Sequence, residues 1–209
     1  MKNDTATVMV VDDDSGVRNA MRVLLRSVGL NSVLYASAKE FLDAYQPSQT
    51  GCLVLDIRMP GMSGLELQEE LNKRGAVIPV IFVSGHVDIP MAVETMQQGA
   101  FDFLQKPFRD QDLLDRIQRA IARHQELRKS LGEHDRIRGL LDELTPRERE
   151  VLDYLTQGKQ NKAIAQELDV SPRTIEIHRA RVMEKMGAHS IAELVRMMMD
   201  LGKPVNAHA

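Results

Sequence analysis

The stretch Cys52-Leu-Val-Leu-Asp56 constrains this chain more than any other. Four apolar residues without polar alternation, closed by a carboxylate, read as a strand buried on both faces. Such strands belong to parallel sheets covered by helices on each side. Pro60, Gly61 and Gly64 break the chain before a helical pattern begins at Leu65. Asp56 therefore ends a central strand, at the edge where open α/β sheets hold their ligands. Taken alone, it reads first as an acid that merely ends a strand.

The same grammar recurs through the first 122 residues. Residues 7–11 form an apolar run followed by Asp12, Asp13 and Asp14. Ser15 is the expected cap of a helix carrying Val17, Met21, Leu24, Leu25 and Val28, ended by Gly29. A weaker strand at 33–35 precedes a short helix at 37–45. The Asp56 strand is third, with a helix over 65–73. A fourth strand over 78–83 closes on Ser84, a helix follows at 89–98, and a fifth strand over 100–104 leads to Lys106-Pro107. Leu113, Leu114, Ile117 and Ile121 mark the last helix. Five strands alternating with five helices predict an α/β fold, a doubly wound five-stranded parallel sheet.

Asp12, Asp13, Asp56, Ser84 and Lys106 then fall at carboxyl ends of the predicted strands, on one edge of the sheet. Carboxylates gathered there raise one another's pKa unless a cation is present. An all-oxygen acidic cluster suits Mg²⁺, which keeps waters and bridges to phosphate oxygens. A lysine and a hydroxyl opposite could hold a phosphoryl group carried by one acid.

Charge limits what the rest can be. Net charge is −3; residues 1–119 carry 12 Lys+Arg against 16 Asp+Glu (−4), and residues 145–209 carry 10 against 9 (+1). A C-terminal third so nearly neutral is not a basic nucleic-acid domain by composition, so any such reading rests on pattern. No apolar run reaches membrane-spanning length, and the opening Met-Lys-Asn-Asp-Thr lacks the apolar core of a secretion signal. No membrane association and a cytoplasmic location are expected. Cys52 is the only cysteine, which excludes an intramolecular disulfide.

Val-Val-Asp-Asp, Leu-Asp56-Ile-Arg-Met-Pro-Gly-Met-Ser-Gly, Val-Ser84-Gly-His and Lys106-Pro107-Phe together resemble the receiver domain of response regulators, over about residues 5–122. The resemblance implies that Asp56 accepts phosphate from the phosphohistidine of a sensor histidine kinase. It implies Mg²⁺ or Mn²⁺ held by Asp12, Asp13, Asp56 and the backbone carbonyl of Arg58. Ser84 and Lys106 would contact the phosphoryl group, Phe103 would be the aromatic switch residue, and Lys106–Pro107 would be cis.

Beyond the receiver, Leu113, Ile117, Ala120, His124, Leu127, Leu131, His134, Arg138 and Leu141 alternate at spacings of four and three. They predict a helical linker over 123–143, stiffer than a flexible one. His124 and His134 are expected on its surface. From 144 to 209 four helices are expected. Thr145-Pro146 with Glu148 makes a capping box, 162–168 is a second helix, Ser171-Pro172 starts a third that runs to 186, and 191–201 is the fourth. Two short helices joined by a tight turn fit a helix-turn-helix, although a plain four-helix packing domain fits the same pattern.

Leu-Thr-Pro-Arg-Glu-Arg-Glu-Val-Leu, Asn161-Lys-Ala-Ile-Ala and Val170-Ser-Pro-Arg-Thr-Ile-Glu-Ile-His-Arg resemble the LuxR-type helix-turn-helix. With the receiver, the chain is similar to the NarL/FixJ family, its FixJ branch in particular. Many NarL-type members carry lysine where Glu176 stands, so that base contact does not transfer. The resemblance implies a non-enzymatic, phosphorylation-controlled transcription factor that dimerises when phosphorylated, binds inverted half-sites in promoter DNA and works with RNA polymerase. On the third helix of this domain, Ile175, Val182 and Met186 share the core side. Arg173, Glu176, Ile177 and Ala180 are left to read bases, with Arg179, Arg181 and Lys185 on the flanks for phosphates. Two other classes compete. In a phosphotransfer enzyme Asp56 would be the nucleophile, but haloacid-dehalogenase-type enzymes usually carry a second Asp where Arg58 stands. The other is a constitutive DNA binder with a purely structural receiver.

Overall fold

A computed structural model describes residues 6–85, 93 and 95–202. The chain divides into two compact units between Arg128 and Lys129.

In the first unit, β1 (Thr7–Val11), β2 (Asn31–Tyr35), β3 (Gly51–Asp56), β4 (Val80–Ser84) and β5 (Asp102–Gln105) form one sheet in the order β2-β1-β3-β4-β5. Every pairing is parallel. Side chains alternate between its faces, as a period of two requires. Met9, Val11, Leu53, Leu55 and Phe82 pack with Phe41 of α2 (Ala38–Ala44) and Leu67 and Leu71 of α3 (Gly64–Lys73). Val8, Val10, Cys52, Val54 and Ile81 pack with Met21 and Leu25 of α1 (Ser15–Ser27) and with Leu113 and Ile117 of α4 (Asp110–Asp142). Both faces are covered, so β3 is buried along its whole length. The helix expected at 89–98 lies largely outside the described residues.

Local chemistry explains the boundaries, and once overturns the expectation. Asp14, not Ser15, caps α1: its carboxylate accepts from the N–H groups of Gly16 and Val17, and the charge suits a helix N-terminus. Ser63 and Glu66 form a capping box on α3. Gly64 has to be glycine, since a Cβ there would stand 2.3 Å from the Asp56 carbonyl oxygen.

The helix beginning at Asp110 runs without a break to Asp142, through the expected linker. Its inward stripe keeps Leu113, Ile117, Ala120, His124, Leu127 and His134, then passes to Ile137 rather than Arg138. An α-helix turns in 3.6 residues rather than 3.5, so a stripe extrapolated at three and four drifts off the buried side. The two histidines expected at the surface are buried because they stand on this stripe.

The second unit holds α5 (Pro146–Thr156), α6 (Asn161–Glu167), α7 (Pro172–Met186) and α8 (Ile191–Leu201) around one core that includes Ile137, Val151, Leu155, Ile164, Ile175, Val182, Met186 and Leu194. Thr145 and Glu148 form the expected capping box, and Ser171 caps α7. Between α6 and α7 the chain turns at Asp169, whose φ of 50° is left-handed; Asp tolerates this conformation better than most residues.

Candidate functional site

Parallel pairing of β1 with β3 brings Asp12, just after one strand, beside Asp56, the last residue of the other. From beyond β5, Lys106 reaches across: its Nζ donates to Asp12 Oδ2 at 2.9 Å and to Asp56 Oδ1 at 3.0 Å. Ser84 ends β4, is buried, and accepts the Lys106 backbone N–H at 2.8 Å through its carbonyl. The Lys106–Pro107 peptide is cis. The Arg58 backbone is turned so that its N–H donates to Asp56 Oδ2 at 2.8 Å. Asp12 Oδ1 accepts from the Asp14 N–H at 2.9 Å.

Asp12, Asp56, Ser84 and Lys106, named from four separate strand ends, thus share one crevice. Asp13 is exposed beside it, and Phe103 is half-buried against the α2–α3 side of the core. Among the described residues no three acids, histidines or cysteines gather as a metal cluster. Arg18 carried no motif in the sequence, yet its Nη1 donates to the Asp12 carbonyl at 2.7 Å and ties α1 to the acidic loop. Its position one turn into a helix that starts at the acids is the signal that could have found it.

Burial raises the Asp56 pKa above the ordinary carboxylate value; Lys106 and the Arg58 N–H oppose this, and the Asp12 charge adds to it. Burial also works against the Lys106 charge, but hydrogen bonds and attraction from Asp12 and Asp56 outweigh it and raise the lysine's pKa. Two carboxylates share a single ammonium, so the oxygen donors around it keep an excess of negative charge. That donor set fits a hard divalent ion that keeps several waters.

In the second unit α7 packs against α5 and α6. Ile175, Val182 and Met186 are fully buried, as the sequence stripe requires. Arg173, Glu176, Ile177, Ala180 and Arg181 are exposed; Ile177, a large apolar residue, is 49% accessible. Arg179 is half-buried and donates to Asn161 Oδ1 of α6 at 3.2 Å.

Lys185, expected as a phosphate contact, is paired within the protein. Its Nζ lies 2.7 Å from Glu148 Oε2 and donates to the Glu143 carbonyl at 3.1 Å. Glu148 is only 2% exposed and also accepts the Thr145 N–H at 2.9 Å. The Lys185 ammonium beside it, together with that N–H, holds its pKa at about 2 against the cost of burial. The lysine fastens the last turn of α7 to the start of α5.

Residues 8–118 match the family of response regulator receiver domains, and residues 142–198 match the bacterial regulatory proteins of the luxR family. The FixJ transcriptional regulatory protein of Azorhizobium caulinodans is 46% identical over 199 residues, covering 95% of this chain and 94% of that protein. The chain belongs to the FixJ-like response regulators. Nodulation protein W of Bradyrhizobium diazoefficiens is 45% identical over 201 residues, 96% of this chain and 88% of that protein. The solved response regulator StyR is similar in structure, with a TM-score of 0.87 and 44% identity over 93% of this chain and 98% of that one. This response regulator is therefore a two-component regulatory protein, with a receiver unit and a LuxR-type DNA-binding unit. No helix among its described residues is long and apolar enough to cross a membrane.

Proposed function

We propose that Asp56 is the phosphoacceptor of a sensor histidine kinase, and that its phosphorylation drives dimerisation and promoter binding. The observation that carries this reading is one ammonium, Lys106, held at 2.9 and 3.0 Å between Asp12 and Asp56. In the transfer, a carboxylate oxygen of Asp56 forms a P–O bond as the P–N bond of the kinase phosphohistidine breaks, and the imidazole nitrogen leaves with the electron pair. Asp12, Asp13, Asp56 and the Arg58 carbonyl would hold Mg²⁺ or Mn²⁺, which when bound supplies positive charge to phosphoryl oxygens. Lys106 offsets part of the acids' charge before transfer and is placed to pair with the phosphoryl group afterwards. The Ser84 hydroxyl would then bond a phosphoryl oxygen, freeing space for Phe103 to move inward and reshape the outer face of β5.

On DNA, α7 would enter the major groove. Arg173 can pair with guanine and Glu176 can accept from a cytosine amino group, with Ile177 and Ala180 beside them. Arg179 and Arg181 would contact phosphates. A dimer would span inverted half-sites and engage RNA polymerase at the promoter, with the protein residing in the cytoplasm.

Acetyl phosphate with Mg²⁺ should add one phosphoryl group, measured by intact mass, and none to Asp56→Asn. The phosphorylated protein should sediment as a dimer and gain operator affinity, and Ser84→Ala should take up phosphate while losing that gain. Equal labelling of Asp56→Asn would overturn the assignment.

A further inference from the structure

Besides Lys106, Asp12 is held by a second cation, Arg18. Each polar group of Asp12 has a partner. Its N–H donates to the Tyr35 carbonyl at 3.3 Å, its Oδ1 accepts from the Asp14 N–H at 2.9 Å, and its Oδ2 accepts from Lys106 Nζ at 2.9 Å. Its carbonyl accepts from Arg18 Nη1 at 2.7 Å, the shortest of these contacts. Arg18 stands in the first turn of α1. That turn is tied to the same loop, because Asp14 caps it through the Gly16 and Val17 N–H groups, and the Arg18 N–H donates to the Asp14 carbonyl at 3.0 Å. The guanidinium thus reaches back from a fixed helix end to the backbone just after β1.

These partners are not equivalent once a phosphoryl group arrives. On the reading given above, Lys106 turns to that group, and the Asp12 carboxylate loses its cation. Arg18 grips the backbone instead, and nothing in the transfer requires it to let go. The Asp12 carbonyl also belongs to the peptide plane that carries Asp13. Asp13 is exposed, and among the described residues nothing bonds its carboxylate. Where that carboxylate can reach is therefore set by the backbone before it. With the plane clamped, an incoming ion has only side-chain torsions of Asp13 left to order; unclamped, the ion would have to order backbone as well. We propose that Arg18 is a positioning residue for the divalent ion, setting the Asp12–Asp13 peptide in place before the ion arrives. The proposal rests on the reading that Asp12, Asp13 and Asp56 hold that ion. The charge of Arg18 works in the opposite sense, since a cation beside the acids repels another. A purely electrostatic role would make Mg²⁺ bind more tightly once Arg18 is replaced, whereas a positioning role makes it bind more weakly.

Calorimetric titration of the full-length protein with Mg²⁺ separates the two. Arg18→Met should weaken binding about tenfold, the lower end of what the outer partners of metal ligands contribute. Arg18→Lys, which keeps the charge and a donor, should recover most of that loss. In acetyl phosphate uptake, Arg18→Met should need about tenfold more Mg²⁺ for half its maximal rate, yet reach the wild-type rate at saturation. A further check needs no variant: in the Mg²⁺-free wild type the Asp13 amide should be rigid, with an NMR order parameter of about 0.85. Unchanged or tighter Mg²⁺ binding in Arg18→Met would overturn the proposal, as would Arg18→Lys doing no better than Arg18→Met. So would a lowered maximal rate with an unchanged Mg²⁺ requirement, or an Asp13 order parameter below about 0.6 in the Mg²⁺-free protein. A wild type that binds no Mg²⁺ would instead overturn the metal reading beneath it.

Discussion

Replacing Lys185 with methionine separates two physical roles for a cation on the DNA-reading helix. As a phosphate contact, its loss would leave stability unchanged and flatten the salt dependence of DNA binding by about one unit of slope. The structure places the ammonium 2.7 Å from the buried carboxylate of Glu148 instead. Lys185→Met then leaves a carboxylate with only the Thr145 N–H and hydroxyl for partners. Breaking a fully buried pair costs about 3–5 kcal/mol. The Lys185 side chain is 32% exposed, so water replaces part of what is lost, and about 2 kcal/mol is expected, within the range for a charged hydrogen bond.

Native-state hydrogen exchange on the full chain reads this directly, as a loss of protection confined to the second unit. The pH dependence gives an independent check. The folded-state pKa of Glu148, about 2, lies below its ordinary 4.5. The pair's contribution is therefore complete above the unfolded value and is lost as pH falls from about 4.5 towards 2. That acid-sensitive component should shrink in Lys185→Met, to the part the Thr145 hydrogen bonds supply. Unchanged exchange protection together with a salt slope lowered by one would refute the reasoning and restore Lys185 to the DNA interface.

Other substitutions test neighbouring steps. Gly64→Ala forces a Cβ towards the Asp56 carbonyl and should destabilise the first unit by about 2 kcal/mol, at the scale of overpacking, and slow phosphoryl uptake; a wild-type denaturation midpoint would contradict the close approach. At Asp169, with φ at 50°, substitution by valine should cost about 1–2 kcal/mol and by glycine little or nothing, measured by urea unfolding. Glu176→Ala should relax base preference at one position of each half-site by about 1–3 kcal/mol, and the same operator logo from a selection experiment would remove Glu176 from base reading. Arg181→Ala should weaken all sites alike and lower the salt slope by about one.

The sheet, its five strands and the strand-end constellation were legible because each rests on short-range pattern plus one topological rule. Parallel strands put all their carboxyl ends on one edge, so Asp12 and Lys106, 94 positions apart in the chain, meet without any pairwise clue. The helices of the second unit were equally legible, since Thr145-Pro146 and Ser171-Pro172 are punctuation that depends on nothing distant. Failures came where two local rules competed. Asp14 and Ser15 are both good caps, and the carboxylate prevailed where it could reach two N–H groups at once. His124 obeyed the stripe rather than its polarity because the Gly51 backbone offers its Nδ1 a partner inside the fold.

The lysine and arginine of α7 show what a helical wheel contains beyond its core stripe. At about 100° per residue, Arg179 stands roughly 40° and Lys185 roughly 80° from the centre of the Ile175–Val182–Met186 stripe, whereas Arg181 stands roughly 120° away. Side chains that close to the core meet the neighbouring helix before they meet solvent. Arg179 accordingly finds Asn161 on α6, a neutral partner that does not offset its charge. Lys185 finds a carboxylate, and its charge is consumed. The distinction between these two residues lies in what α5 and α6 present to the flank of α7. It follows that the cations free to steer this unit onto DNA are fewer than a count of Lys and Arg on the helix implies. With a near-neutral C-terminal third, the unit has little electrostatic affinity to spare. Under the proposed dimerisation, pairing two copies of α7 would be the most direct way to gain affinity, because the second helix would bind at the effective concentration set by the first.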